Sequence, residues 1–508
     1  MALARVRAMA LTGLAGSLVD VEADIAQGLP STTIIGLPDT ALHEARDRVR
    51  AAVSNAGFGW PAQRITVALS PATLPKAGAS FDLAIAAAVL SAAGQLSAAL
   101  LADAVVLGEL GLDGQVRGVP GILPAVLAAR AAGIPRVVVP ECNEAEARLV
   151  AGLAIWAVRH LRELAAPVEG AGARTAASLP PPGEPGGPDL ADVVAQPEGR
   201  RAVEVCAAGG HSLLLVGPPG AGKTMLAERL PGLLPPLTVE ESLEVSAVHS
   251  VAGLLLPGRP LVRRPPLQAP HHTASVAAVV GGGSAAGGLR PGAASLAHRG
   301  VLFLDEAPEF ARGVLDALRQ PLEAGEVVLA RSGITAAFPA RFQLVLAANP
   351  CGCPHAGTVR CSCSPVERRR YGARISGPLL DRVDVRLTVP PATRASLFDP
   401  TPGEGSAAVA ARVAVARAAA AARLSATGWR TNAEVPGPVL RTRWRPPVAA
   451  LRPVSAALRR GAITARGFDR VLRVAWTLAD LAGTALPAVE QVEEALTLRA
   501  PTGAELAA

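Results

Sequence analysis

The chain has 508 residues, half of them apolar and 18% charged, which excludes a disordered chain and allows sizeable cores. Its length points to roughly three domains. Of the 49 basic residues only Lys76 and Lys223 are lysine, so an arginine at a given position carries little information and a lysine carries much. Six cysteines in this length make no secreted disulfide framework. The first residues, Met1 to Arg7, show no signal-peptide h-region, and a cytoplasmic protein is expected. Leu83 to Ala102 is uncharged for long enough to span a bilayer. Its Ala, Ser and Gly content and the internal Gln95 favour a buried helix, so no membrane partner is expected. The positive excess sits late: residues 391–508 hold 15 Arg and 9 acids, a balance of +6 that is compatible with a polyanion.

In chain order, residues 1–166 alternate short β-branched runs with Ala/Leu runs. Strands are expected at 65–69, 105–107 and 137–139, and helices at 39–56, 83–93 and 123–132. The Pro/Gly-rich residues 167–190 read as a linker. The central part, 191–390, has three strongly apolar strands: LLLV before Gly217, VLFL before Asp305 and QLVLAA, polar only at Gln343, before Asn349. Strands this apolar are buried on both faces, as in a parallel sheet covered by helices. Residues 390–406 form a weaker second linker, and the C-terminal part (391–508 with that linker) is helical. Its clearest amphipathic run goes from Thr464 to Leu481.

The run Gly217-Pro218-Pro219-Gly220-Ala221-Gly222-Lys223-Thr224 matches G-x-x-x-x-G-K-S/T in full, between an apolar strand and a helix that starts at Met225. Glycines let backbone N–H groups wrap phosphates, and the helix N-terminus adds its dipole. Lys223 reaches the β- and γ-phosphates in this reading, and Thr224 holds Mg²⁺. Asp305 and Glu306 end a buried strand: Asp305 suits Mg²⁺, and Glu306 suits polarisation of the attacking water. Asn349 ends the next strand and fits a polar residue that orients that water. ATP and Mg²⁺ are the expected cofactors. Cys351, Cys353, Cys361 and Cys363 form C-x-C-x₇-C-x-C, a candidate tetrahedral zinc set. A redox-sensitive thiol cluster and inert loop cysteines stay open as alternatives. Cys142 and Cys206 are isolated and expected to be buried. His271-His272 suits a subunit interface or a DNA contact better than a metal.

These stretches together resemble the YifB/ComM group of magnesium-chelatase-like AAA+ ATPases. The resemblance rests on residues 209–237, APHHTAS (269–275), VGGG (280–283), 295–310, LRQPLE (318–323), NPCGC (349–353) and RISGPLLDRVD (374–384), and it covers nearly the whole chain. It implies an α/β architecture: an AAA+ P-loop core with a helical lid, preceded by a Lon-protease-like α+β domain. It implies a ring, usually a homo-hexamer, with each site between subunits. By similarity to MCM helicases, Arg382 is the arginine-finger candidate and Arg374 the second. Arg466 resembles the sensor-2 arginine of the lid, with Arg473 as the alternative. Residues 327–350 resemble the MCM pre-sensor-1 hairpin, which makes Arg331 either a DNA contact in the pore or a solvent-exposed tip.

Residues 74–90 and 108–134 resemble the two catalytic segments of Lon, with Ser80 at or near the nucleophile position. A serine nucleophile needs a base. The positions matching the Lon lysine are Leu123, Pro124 and Ala125, and no lysine is available from that segment. Peptidase activity is therefore not expected, and Lys76 reads as a phosphate contact or a surface loop residue. The resulting expectation is an ATP-hydrolysing ring motor on branched or single-stranded DNA, in branch migration or helicase work during recombination or transformation. A protein-remodelling chelatase-like ATPase is the alternative, and a Lon-like protease the weaker one.

Overall fold

The computed structural model describes residues 2–36, 40–74, 76, 78–165, 187–256, 258–284, 288–331, 334–358, 360–391 and 403–499. Most of both expected linkers lies outside the described residues.

The N-terminal domain is built on a seven-stranded mixed sheet. Its order is Ser31–Ile35, Arg64–Ser70, Ala15–Ala26, Ala2–Thr12, Ala104–Val106, Arg136–Pro140, Ala154–Val158. The centre is a long antiparallel hairpin in register from Ala2 opposite Ile25 to Thr12 opposite Ala15. Successive side chains enter opposite cores, as the two-residue period of a strand requires. Val138 and Trp156 join one core with the helix Asp82–Ala92, while Val137, Val139 and Ile155 join the other with the helix Ile122–Ala131. The apolar run from Leu83 is thus half of a buried helix layer. It breaks after Ala92 and resumes as the short helix Ala98–Leu101. No described helix is long and apolar enough to cross a membrane. The helix start is fixed by Asp82, fully buried and gripped by Arg48 at 2.6 and 3.0 Å.

The central domain is a five-stranded all-parallel sheet, ordered Leu267–Gln268, Val301–Leu304, Gln343–Ala348, Leu213–Val216, Val385–Thr388. Every residue of the three expected strands is buried. Leu213, Leu215, Val301 and Phe303 face a core shared with the helix Pro197–Gly209 and the lid, while Leu214, Val216, Leu302 and Leu304 face a second core. Lid helices Ser406–Leu424, Arg452–Arg459, Ala465–Ala482 and Val489–Thr497 close over the first face. The helix from Ala465 starts where Thr464 accepts the Gly467 N–H at 3.1 Å and stops at Gly483, which takes the left-handed conformation.

Contacts among the described residues join the first domain to the second. Buried Glu146 accepts the Leu123 N–H at 2.9 Å and the Ser250 hydroxyl, and the Gly121 N–H reaches the Ser250 carbonyl at 3.0 Å. The Gly13 turn of the long hairpin rests on a second hairpin, Glu326–Arg331 with Ile334–Pro339; a Cβ on Gly13 would meet the Ala336 Cβ at 3.0 Å.

Candidate nucleotide site

In a parallel sheet all strands end on one side, and the loops after those ends make the natural crevice for a ligand. The strands from Leu213, Val301 and Gln343 deliver Gly217–Thr224, Asp305-Glu306 and Asn349 to that side. Gly220 and Gly222 have φ of 75° and 89°, a region closed to most residues, so the loop turns with its N–H groups free to converge. Lys223 opens the helix Lys223–Leu233 and donates to the carbonyls of Gly217 and Pro218, both at 2.8 Å, and to Asn349 Oδ1 at 3.0 Å. Burial lowers its pKa, and Asp305 and Glu306 oppose that by favouring the ammonium. The Thr224 hydroxyl donates to Asp305 Oδ2 at 2.7 Å, so the two expected Mg²⁺ oxygens stand together. Asp305 Oδ1 accepts the Glu306 N–H at 2.9 Å, which aims its other oxygen at Thr224. Glu306 itself has a left-handed backbone (φ 50°) and a half-exposed carboxylate. This set fits a metal nucleotide: hard oxygen donors for Mg²⁺, an ammonium, and a glycine loop. Met225, next in the helix, is exposed.

Sequence reasoning missed one member of this group. His272 Nδ1 lies 3.2 Å from Glu306 Oε2, and the His271 ring stacks on His272 with centroids 4.1 Å apart. The strand Leu267–Gln268 brings them there by pairing with Val301–Leu304. A two-residue strand has no periodicity to read, so nothing in the sequence signalled the contact.

The arginine candidates divide. Arg374 stays beside its own acids, 2.9 Å from Glu309 and over the Tyr371 ring. Arg382 and Arg466 are at the other end of the sheet. They line a cleft of about 630 Å³ with Ser212, Gly300, Phe342 and Asp384, the residues that precede the strand starts. There Arg382 pairs with Glu323 and donates to the Pro378 carbonyl at 2.5 Å, and Arg466 lies 3.4 Å from Asp381. Neither reaches the P-loop of its own chain. Arg473 donates to the Val435 carbonyl at 2.8 Å inside the lid, where burial lowers its pKa to about 10. Arg331 is exposed at the end of its hairpin strand; the turn at 332–333 lies outside the described residues.

The four loop cysteines gather as the spacing predicted. Cys351 Sγ is 3.5 Å from Cys353 and 3.5 Å from Cys361, and all four sulfurs lie within 4.8 Å of one another. A tetrahedral zinc with bonds of ~2.3 Å sets sulfurs about 3.8 Å apart, so the set fits that ion. The Cys361 thiol is held down to about 6, first by the Cys363 backbone N–H and then by Cys351. The loop leans on the nucleotide site, because a Cβ on Gly357 would come 3.3 Å from Pro218.

Two expectations need correction. Lys76 is neither a surface residue nor a phosphate contact: it is 1% exposed, and its ammonium donates to the carbonyls of Gly36 (3.1 Å) and Pro71. Cys142 is exposed, on the turn Glu141–Asn143, whereas Cys206 is buried as expected. Ser80 lies in a single turn, Ala79–Phe81, and its carbonyl accepts the Gly108 N–H. Leu123, Pro124 and Ala125, at the positions that match the Lon lysine, are all buried.

Three family models match stretches of the chain. Residues 189–397 match "Magnesium chelatase, subunit ChlI", residues 21–143 match "Subunit ChlI of Mg-chelatase", and residues 403–499 match the ChlI C-terminal model. The chain is 41% identical over 505 residues to YifB of Escherichia coli, covering 98% of this chain and 97% of YifB. It is 40% identical over 512 residues to the competence protein ComM of Haemophilus influenzae, covering 98% of each. The chain belongs to the YifB/ComM group of magnesium-chelatase-like AAA+ ATPases. An uncharacterized protein of Mycobacterium tuberculosis is 56% identical over 508 residues, 99% of this chain and 100% of that protein. Membership implies ATP and Mg²⁺ as cofactors; in keeping with a Lon-like N-terminal region, 27% of the chain is 31% identical to Lon protease 2 of Thermus thermophilus, spanning 18% of that enzyme.

Proposed function

We propose that this chain is a cytoplasmic ATP-driven motor that works as a homo-hexameric ring on branched or single-stranded DNA, in branch migration or unwinding during recombination or transformation. One observation carries the ring: the P-loop and its acids occupy one end of the parallel sheet, while Arg382 and Arg466 occupy the other. A site split this way is completed when the arginine end of one subunit meets the phosphate end of the next.

Within that site Lys223 exchanges its carbonyl partners for phosphate oxygens. Thr224 and Asp305 hold Mg²⁺, which neutralises phosphate charge when bound. Glu306 takes up the proton of the attacking water, and Asn349 orients that water. Arg382 stabilises the charge that develops on the neighbour's γ-phosphate. Cys351, Cys353, Cys361 and Cys363 hold a structural zinc that stiffens the loop against Pro218.

Two features favour DNA. Arg331 is exposed at a hairpin end. Residues 435–468 of the lid contain seven arginines and no acid. Of these Arg443, Arg445, Arg452, Arg459 and Arg460 are exposed, as phosphate contacts must be. The name of the competence relative is in keeping with this reading. The match to magnesium chelatase models favours the second reading, a protein-remodelling ATPase. ATPase rates with and without branched DNA, measured alongside strand displacement, separate the two: stimulation with displacement is expected, and neither effect would sink the DNA motor.

A further inference from the structure

We infer that His211 and Asp384 are positioning residues that lock the lid helix Ala465–Ala482 to the core, so that Arg466 and Arg382 stand together toward the neighbouring subunit's phosphates; this rests on the split-site reading above. The lid helix carries a polar stripe at Arg466, Arg470, Arg473 and Thr477. Steps of three and four residues put these side chains on one face. Three of them engage the end of the core where the strands begin. Arg466 lies 3.4 Å from Asp381, Arg470 Nη1 donates to Asp384 Oδ1 at 2.8 Å, and Thr477 Oγ1 lies 2.7 Å from His211 Nε2. His211 joins the last two contacts into one network, because its Nδ1 is 3.3 Å from Asp384 Oδ2.

His211, Asp384 and Thr477 are each at most 2% exposed. A charge at this depth is tolerated only when it is paired and hydrogen-bonded. Asp384 meets that condition: burial works against its ionised form, but Arg470 and then His211 outweigh it and hold the pKa below its ordinary value. The Thr477 hydroxyl donates to the Arg473 carbonyl at 3.2 Å, and its oxygen accepts from Asn432 at 3.0 Å. The backbone beside Asp384 is held as well, since Arg499, beyond the last lid helix, donates to the Val383 and Asp384 carbonyls at 2.6 and 3.0 Å. The approach is close: a Cβ on Gly209 would run into both His211 and Thr477.

The apolar core between lid and sheet is large and keeps the lid in place. Apolar burial is non-directional, so it leaves the register of the helix open. The buried polar network sets that register. Arg382 stands two residues before Asp384, and Arg466 stands one turn before Arg470. Each arginine is therefore tethered through its neighbour to the same carboxylate, and all three arginines line the cleft at the far end of the sheet from the P-loop. Loss of that carboxylate's charge releases both tethers. A shift of about 1 Å at a reacting group is enough to cost about 10²-fold in rate.

The test uses the full-length chain with Asp384→Asn, which keeps the size and removes the charge, and Thr477→Val, which keeps the shape and removes the acceptor. We expect kcat for ATP to fall about 10- to 100-fold in Asp384→Asn and about 3- to 10-fold in Thr477→Val, with KM within about twofold in both. Thr477→Ser should recover most of the loss. Mixed rings separate positioning from damage. Asp384→Asn subunits keep their P-loop, so mixing them with Lys223→Ala subunits should restore part of the rate. Mixing them with Arg382→Ala subunits should restore none, because every arginine end is then impaired. If Asp384→Asn fails to assemble, Thr477→Val carries the same two mixtures. A kcat within twofold of wild type in both variants, or recovery with Arg382→Ala, would overturn the proposal. Recovery with neither partner would overturn it too, since the lesion would then reach beyond the arginine end. If Lys223→Ala and Arg382→Ala subunits do not complement each other, the split-site reading itself falls, so the two failures look different.

Discussion

The nucleotide site and the N-terminal domain each bury one of the chain's two lysines, and in both the ammonium donates to main-chain carbonyls. Burial lowers both pKa values. The surroundings differ. Lys223 retains 8% exposure beside Asp305 and Glu306, and the carbonyls it binds belong to the loop that opens toward a ligand. Lys76 is 1% exposed, no acid contributes to its pKa shift, and its partners tie Gly36 to Pro71. One ammonium can exchange its partners; the other is a staple. Burial with carbonyl partners does not distinguish a catalytic lysine from a structural one. Nearby acids and an open loop do.

The two lysines can be set against each other directly. Lys223→Ala should lower kcat for ATP on the order of 10³-fold in a folded protein, while Lys76→Met should leave kcat within about twofold and lower Tm by several degrees through the unpaired carbonyls. Equal effects on activity would break the contrast. Arg382→Ala should cost on the order of 10²-fold. Mixing it with Lys223→Ala subunits should restore part of the rate, because mixed rings then contain some intact sites; no recovery would argue against a shared site. Cys351→Ser should remove zinc, read by elemental mass spectrometry, and slow ATP hydrolysis about tenfold through the loop on Pro218.

The smallest effect concerns Glu244, on the helix Val239–Val251 that packs on the N-terminal domain. His298, then Arg299, hold its pKa down from 4.5 to about 2. A depressed carboxylate stabilises the fold fully above its unfolded pKa and loses that contribution as pH falls through the folded one. Glu244→Gln should therefore flatten the Tm profile between about pH 4.5 and 2, and a parallel profile would rule this pair out as the cause.

Much of the N-terminal domain was legible only in part. The helices at Asp82–Ala92 and Ile122–Ala131 and three strands fell where β-branched and Ala/Leu runs placed them, within a residue or so. The strands Ala2–Thr12, Ala15–Ala26, Ser31–Ile35 and Ala154–Val158 were missed. Ala15–Ala26 alternates Val19, Val21, Ala23 and Ile25 with Asp20, Glu22 and Asp24, a period-two signal that could have been read. Burial of Lys76 could not be read, since it depends on Gly36 and Pro71 arriving from other segments. In the central domain, strands apolar at all but Gln343 left no such ambiguity.

The sequence by itself determined the nucleotide loop, the two acids after a buried strand and the four-cysteine set, because each is contiguous and its chemistry is carried by local backbone and spacing. It also determined that no lysine could serve a Lon-type base. Only the tertiary structure decided that Arg382 and Arg466 stand at the far end of the sheet from their own P-loop, and that His272 meets Glu306. Both follow from the order and direction of parallel strands, which are set by burial of two apolar faces across the whole domain and not by any single segment.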